Sequence, residues 1–247
     1  MIVDALVYAG ESLYGGGNSL DQLLGQASDL GIDRLVAAPA KPPDYDLAAA
    51  SRRLAVACAA SGGRAVCLAR VDPWRDDATQ WLGELLSHES VRGLLLHPWE
   101  ETITANHERV IALAAQAAAV GLPVLVEAGH PLVAEALSLA DLAKSVDGTV
   151  VMTRGGQVNM AGLAQQSADL ALAAAPNLCA LSAGMYRQDW LERCVGTFGA
   201  DRLLHGSCAP MFDLGYELER LRFAKLDERE RSLVMGGNAV RLFGLEE

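Results

Sequence analysis

The chain has 247 residues, 51% of them hydrophobic but only 5% aromatic, so it can bury a substantial core that must be largely aliphatic. A net charge of -11 and a pI near 4.9 exclude the electrostatics of a nucleic-acid binder or of a protein that docks on anionic membranes. No basic stretch precedes an apolar run, and no apolar run approaches the roughly 20 residues of a membrane span, so a cytoplasmic protein is expected.

Along the chain, short β-rich runs alternate with longer Ala/Leu-rich stretches. Strands are predicted at Ile2 to Ala9, then in DRLVAAP from Asp33, RAVCLARV from Arg64, VRGLLLHP from Val91, PVLVEAG from Pro123, TVVMTRG from Thr149, NLCALSAG from Asn177 and RLLHGSCAP from Arg202. Helices are predicted at about Ser19 to Gly31, Asp46 to Ser61, Asp76 to Ser87, Ala105 to Val120, Leu132 to Ser145, Ala161 to Ala174, Arg187 to Phe198 and Leu214 to Phe223, with a last amphipathic helix over Asp227 to Phe243. About eight β-then-α units without a composition break read as one (β/α)8 TIM barrel spanning residues 1 to 247, class α/β, with an extra C-terminal helix. The competing fold, a doubly wound open sheet, usually carries a nucleotide loop after its first strand. GESLYGGGNS has neither GxGxxG nor a Walker lysine, and is read as a flexible loop over the barrel mouth. The five cysteines are scattered and lack CxxC spacing, so buried thiols are expected rather than disulfides or a structural zinc site.

Barrel chemistry sits at the C-terminal ends of strands. Those ends supply Leu6 and Tyr8, then His97-Pro98-Trp99, Glu127-Ala128-Gly129-His130, Arg154-Gly155-Gly156, Ser182-Ala183-Gly184 and Gly206-Ser207-Cys208-Ala209-Pro210, and the chain closes with GGNAVRLFGL. Strict alternation in the first strand puts Asp4, Leu6 and Tyr8 on one face and Val3, Ala5 and Val7 on the other.

In that order these segments resemble the amidohydrolase-2 family of metal-dependent hydrolases, lactonases and decarboxylases. GGNAVRLFGL is similar to its terminal helix, RLLHGSCAP to its eighth-strand Gly-Ser-Asp-x-Pro pattern, GLLLHPW to its fourth-strand Gly-x-Lys-x-His-Pro, and VLVEAG and TRGG to its fifth- and sixth-strand His-x-Gly segments. The resemblance implies a divalent metal held by Asp-x-His-x-His in the first strand. Here Asp4 stays, but Leu6 and Tyr8 stand at the histidine positions, Leu95 at the lysine, Glu127 and Arg154 at the later histidines and Cys208 at the aspartate.

A catalytic metal needs about three protein ligands and an open position, and Arg154 brings a permanent cation to one of those places, so no metal and no cofactor are expected. Two functions follow from the residues that remain. In the first, a metal-independent hydrolase or lyase (lactonase, decarboxylase, hydratase or cyclase in type) acts on a small, anionic carboxylate or carbonyl compound, with Glu127, His130, Arg154 and Tyr8 as candidate catalytic groups. Arg154, His97, Trp99, Ser182 and Cys208 are the candidate substrate contacts. In the second, the barrel is a catalytically inactive ligand-binding or scaffolding subunit, and Glu127 with Arg154 is a buried ion pair filling the space a metal left. A homodimer is the default assembly for such a barrel. His88, His107 and His205 fall away from the mouth, and the Trp74 and Trp81 pair is read as packing.

Overall fold

The computed structural model describes residues 1–156, 161–185 and 187–246. Its strands are β1 (Val3–Ala9), β2 (Arg34–Pro39), β3 (Ala65–Ala69), β4 (Val91–Leu96), β5 (Val124–Val126), β6 (Val150–Met152), β7 (Leu178–Leu181) and β8 (Leu203–Leu204). They are hydrogen-bonded in sequence order and every pair is parallel. The sheet closes on itself where Ala5 N donates to His205 O, Cys208 N to Leu6 O and Tyr8 N to Ala209 O. The expected (β/α)8 barrel is therefore the fold.

Parallel strands covered on both faces must be apolar on both, which is why these segments read as continuous hydrophobic runs. One set of side chains, including Leu6, Tyr8, Val36, Leu68, Leu95, Leu125, Val151, Leu181 and Leu204, fills the barrel interior. The other set packs outward against the helices: α1 (Leu20–Leu30), α2 (Leu47–Ala59), α3 (Ala78–Leu86), α4 (Glu108–Ala119), α5 (Ala136–Lys144), α6 (Ala161–Ala174), α7 (Gln188–Phe198) and α8 (Leu214–Phe223). Local sequence fixes the helix ends. Ser19 and Gln22 form a reciprocal capping box at α1, and Gly31 ends that helix in the left-handed region at φ 73°.

The structure departs from the sequence reading in three places. Strand β1 carries a register shift between Asp4 and Val7, so Val3, Ala5 and Leu6 all join the interior cluster and simple alternation fails. Asp4 instead ties the seam, its Oδ1 accepting from Leu6 N and Ser207 N. The fifth helix starts at Ala136 rather than Leu132, because Gly129 N donates to Ala134 O and Ala134 N to His130 O, folding that approach into a bridge. The last helix is not uniform. It runs as α9 (Glu228–Ser232), a π turn over Leu233–Gly237 and α10 (Asn238–Phe243). The wider turn frees the Val234 carbonyl to accept His205 N, and a Cβ at Gly236 would lie 2.2 Å from Met1 O, so glycine lets this segment press against the start of β1.

Helix α10 sends Phe243 and Ala239 into the interior cluster, closing the end of the barrel opposite the mouth. Phe243→Ala should destabilise the fold by about 3–5 kcal/mol in urea denaturation, with a circular-dichroism spectrum unchanged at low urea. A cost under about 1 kcal/mol would mean that the helix is an appendage and not the barrel floor.

Candidate active site

Three residues inside the barrel hold one fully buried carboxylate. Glu127, the first residue beyond β5, is 0% exposed, and an unpaired charge there would be prohibitively costly. Its Oε2 accepts from Tyr8 Oη at 3.0 Å and from Thr153 Oγ1 at 2.9 Å, and its Oε1 pairs with the Arg154 guanidinium. Arg154 reaches this place from a left-handed backbone, φ 51°, in the 3-10 turn Thr153–Gly156 that ends β6, and it also donates to Ala128 O at 2.8 Å. The turn needs Gly155 next to it, since a Cβ there would meet Met185 Sδ at 2.4 Å. Burial first, and then the Glu127 charge, hold the Tyr8 phenol well above its usual range. The same two causes, in the same order, raise the Cys208 thiol, which sits fully buried at φ 56° with its N–H on Leu6 O. Both groups keep their protons at neutral pH, and at Cys208 the lowering by the Arg154 cation, which would favour a thiolate nucleophile, is outweighed.

Above this layer opens a cavity of about 370 Å³, lined by Tyr8, Tyr14, Lys41, Arg70, His97 and Glu100 among others. The Gly-rich segment after β1 contributes Tyr14 and Gly15 to Gly17 to its wall, which puts the expected flexible loop at the mouth. Burial, followed by the charges of Arg70 and Arg154, keeps the His97 imidazole well below its usual range. Its Nδ1 accepts from Glu100 N at 3.3 Å, which leaves the proton of the neutral ring on Nε2.

The sequence-derived candidates thus separate. Tyr8 and His97 line the cavity, while Glu127 and Arg154 form a layer that does not line it. His130 lies on the rim, stacked on the exposed Trp99 with ring centroids 4.8 Å apart, and burial and then Arg154 lower its pKa. Ser182 is buried, its Oγ accepting from Gly206 N at 3.4 Å. Cys208 lies in the interior cluster.

The sequence reading missed a charged group at the ends of β2 and β3. Arg70 is 1% exposed and donates to Glu101 Oε1 at 2.6 Å, to Pro39 O at 3.2 Å and to Glu100. Lys41 Nζ donates to the Glu100 carbonyl at 2.7 Å and lies 3.6 Å from Glu101 Oε1. The signal was present: RAVCLAR ends a strand on an arginine, and the rule that selected Glu127 and Arg154 applies equally to it.

The sequence pattern of the family described as Amidohydrolase matches residues 16–245. No curated protein sequence matches the chain. Among solved structures, it is similar to a putative 2-pyrone-4,6-dicarboxylic acid hydrolase from Pseudomonas putida, at 16% identity and TM-score 0.78 over 100% of this chain and 98% of the other. It is similar to 2,6-dihydroxybenzoate decarboxylase from Rhizobium, at 16% identity and TM-score 0.75 over 100% and 99%. An amidohydrolase from Burkholderia multivorans with bound zinc aligns at 17% identity and TM-score 0.77 over 100% of both chains.

Two outcomes test this geometry. Arg154→Met, which leaves Glu127 buried without its countercharge, should cost about 3–5 kcal/mol of stability in urea denaturation, and a near-neutral effect would contradict the buried pair. A buried imidazole with a depressed pKa takes up its proton only on unfolding, so its contribution to stability is complete above the unfolded value near 6.5 and is lost as pH falls below it. As pH falls below 6.5 the buried His97 should steepen the loss of stability toward about 1.4 kcal/mol per pH unit, and His205, whose pKa is also lowered by burial, should add to it. In denaturation series at stepped pH, His97→Asn should remove one proton's share of that slope.

Proposed function

This chain belongs to the amidohydrolase family, and from that premise we propose that it is a hydrolase- or lyase-type barrel that works without the metal of its relatives on a small carboxylate or carbonyl compound bound in the mouth cavity. The observation that carries this reading is the neutral His97 imidazole, with its proton on Nε2, at the same cavity as the Tyr8 phenol, their rings 6.4 Å apart. A neutral imidazole Nε2–H beside a bound carbonyl donates a hydrogen bond to the oxygen on which charge develops, the role a Lewis acid otherwise fills, while the Tyr8 oxygen, its own proton given to Glu127, remains an acceptor. A cavity of about 370 Å³ suits a single substituted ring. The named substrates of the neighbours above are compounds of that size.

The donor chemistry supports metal independence. At the positions that the family resemblance assigns to ligands, Leu6 offers no donor atom, Tyr8 and Cys208 hold their protons, Glu127 is engaged by three partners, and Arg154 brings a cation that a divalent ion would repel. Among the described residues no group of three or more His, Cys, Asp or Glu is placed to hold a metal ion. These residues do not fit the metal.

A second reading, a ligand-binding barrel without catalysis, is favoured by one observation: the complete burial of Glu127, which removes the strongest candidate for a free base.

Turnover of 2-pyrone-4,6-dicarboxylate and 2,6-dihydroxybenzoate, assayed before and after exhaustive EDTA treatment, decides between them. Activity that survives chelation and falls about 10²-fold in His97→Gln supports the enzyme. Activity lost on chelation and restored by zinc overturns metal independence, and saturable binding of either compound without turnover establishes the second reading.

A further inference from the structure

We propose that Arg70 and Lys41 form an anion subsite in the mouth cavity, and that the Glu100 carboxylate fills it as an internal stand-in which a ligand carboxylate displaces. The inference rests on the mouth-cavity reading above and goes past it, because it names which cations take the acid group and what they hold before the ligand arrives.

Arg70 is buried to 1%, and a guanidinium in such a place is retained only with compensating charge. It has two carboxylate partners of unequal character. Glu101 faces inward, with a side chain 2% exposed, and is shared with Lys41. Glu100 lines the cavity with a side chain 11% exposed, and its carboxylate meets the same Nη2 of Arg70. One nitrogen thus serves two carboxylates, while Arg70 Nε has no partner among the described residues. A planar carboxylate entering from the cavity can take the place of the Glu100 group on Arg70 and leave the net charge of the cluster unchanged. The backbone around Glu100 need not move for this exchange. Its N–H stays on His97 Nδ1 and its carbonyl on Lys41 Nζ, so only the side chain swings out.

An internal competitor lowers apparent affinity by the fraction of time that it occupies the site. Titration calorimetry at pH 7.5 with benzoate, with 2,6-dihydroxybenzoate and with uncharged benzamide reads this directly. Glu100→Gln removes the competing charge and should bind both carboxylates about tenfold tighter than the wild type, with benzamide unaffected. Lys41→Met should bind them about tenfold more weakly. Glu11→Gln, an exposed acid that does not line this cavity, should match the wild type, which separates displacement from a general loss of negative field. Glu100→Ala repeats the experiment should the glutamine variant fold poorly. Equal carboxylate affinity in the wild type and the Glu100 variants would overturn the stand-in and leave the mouth-cavity reading untouched. Binding that tightens equally in Glu11→Gln would overturn it in favour of a diffuse field. Absence of carboxylate binding in every variant would overturn the subsite, whereas failure of the function itself shows separately, as absence of turnover.

Discussion

A carboxylate with no access to water sits near the centre of this barrel, and the upper half of the molecule is arranged around the need to compensate it. A carboxylate buried in a hydrocarbon lumen must have its oxygens met, and Glu127, placed by β5, draws partners from two other strands: Tyr8 from β1, and Thr153 and Arg154 from beyond β6. That requirement explains local oddities that otherwise look unrelated. The left-handed backbone of Arg154, the glycine after it and the Thr153 hydroxyl, which both accepts from Ala128 N and donates to Glu127, all serve to place charge and donors at one point. The strand ends here are joined through hydrogen bonds and a guanidinium.

The same logic recurs one layer higher with different residues. Arg70, Lys41, Glu100 and Glu101 knit together the ends of β2, β3 and β4, the side of the mouth that the Glu127 cluster does not reach. Trp74 adds to it, its indole N–H bonded to Glu101 O at 2.8 Å. Two charged groups, one sealed and one facing a cavity, divide the mouth between them.

Much of this was legible in the sequence. Alternating β and α segments specify the barrel because each parallel strand must be apolar on both faces and each helix on one, and those two patterns are distinct in one dimension. Glu127 and Arg154 stood out as charges at strand ends among valines and leucines. What was not legible depended on three dimensions. The shift in β1 that carries Val3, Ala5 and Leu6 into the interior follows from closure against β8, and no period of the strand itself announces it. The break in the last helix follows from the fit of Gly236 against Met1 O. Arg70 and Lys41 carry no family mark, because the ends of β2 and β3 belong to none of the segments that resemble a family pattern. That Glu127 and the mouth cavity are separate also could not be read, since depth along a barrel axis leaves no trace in a linear motif.

The seam between β1 and β8 has a consequence for how this molecule comes into being. Ala5, Leu6 and Tyr8 bond to residues 205 to 209, and the end opposite the mouth is filled by Phe243. A ribosome that has exposed the first six β/α units holds a curved sheet with two bare edges and an uncovered apolar floor. Successive helices can settle as they emerge, because each packs on strands already made, but the ring itself waits until residues 205 to 209 have emerged. During that interval the newborn chain carries the unpaired strand edges that invite association with its neighbours on a polysome. The stretch from β8 to Phe243 is therefore the step that turns a sticky intermediate into a closed vessel, and chaperone demand should concentrate there.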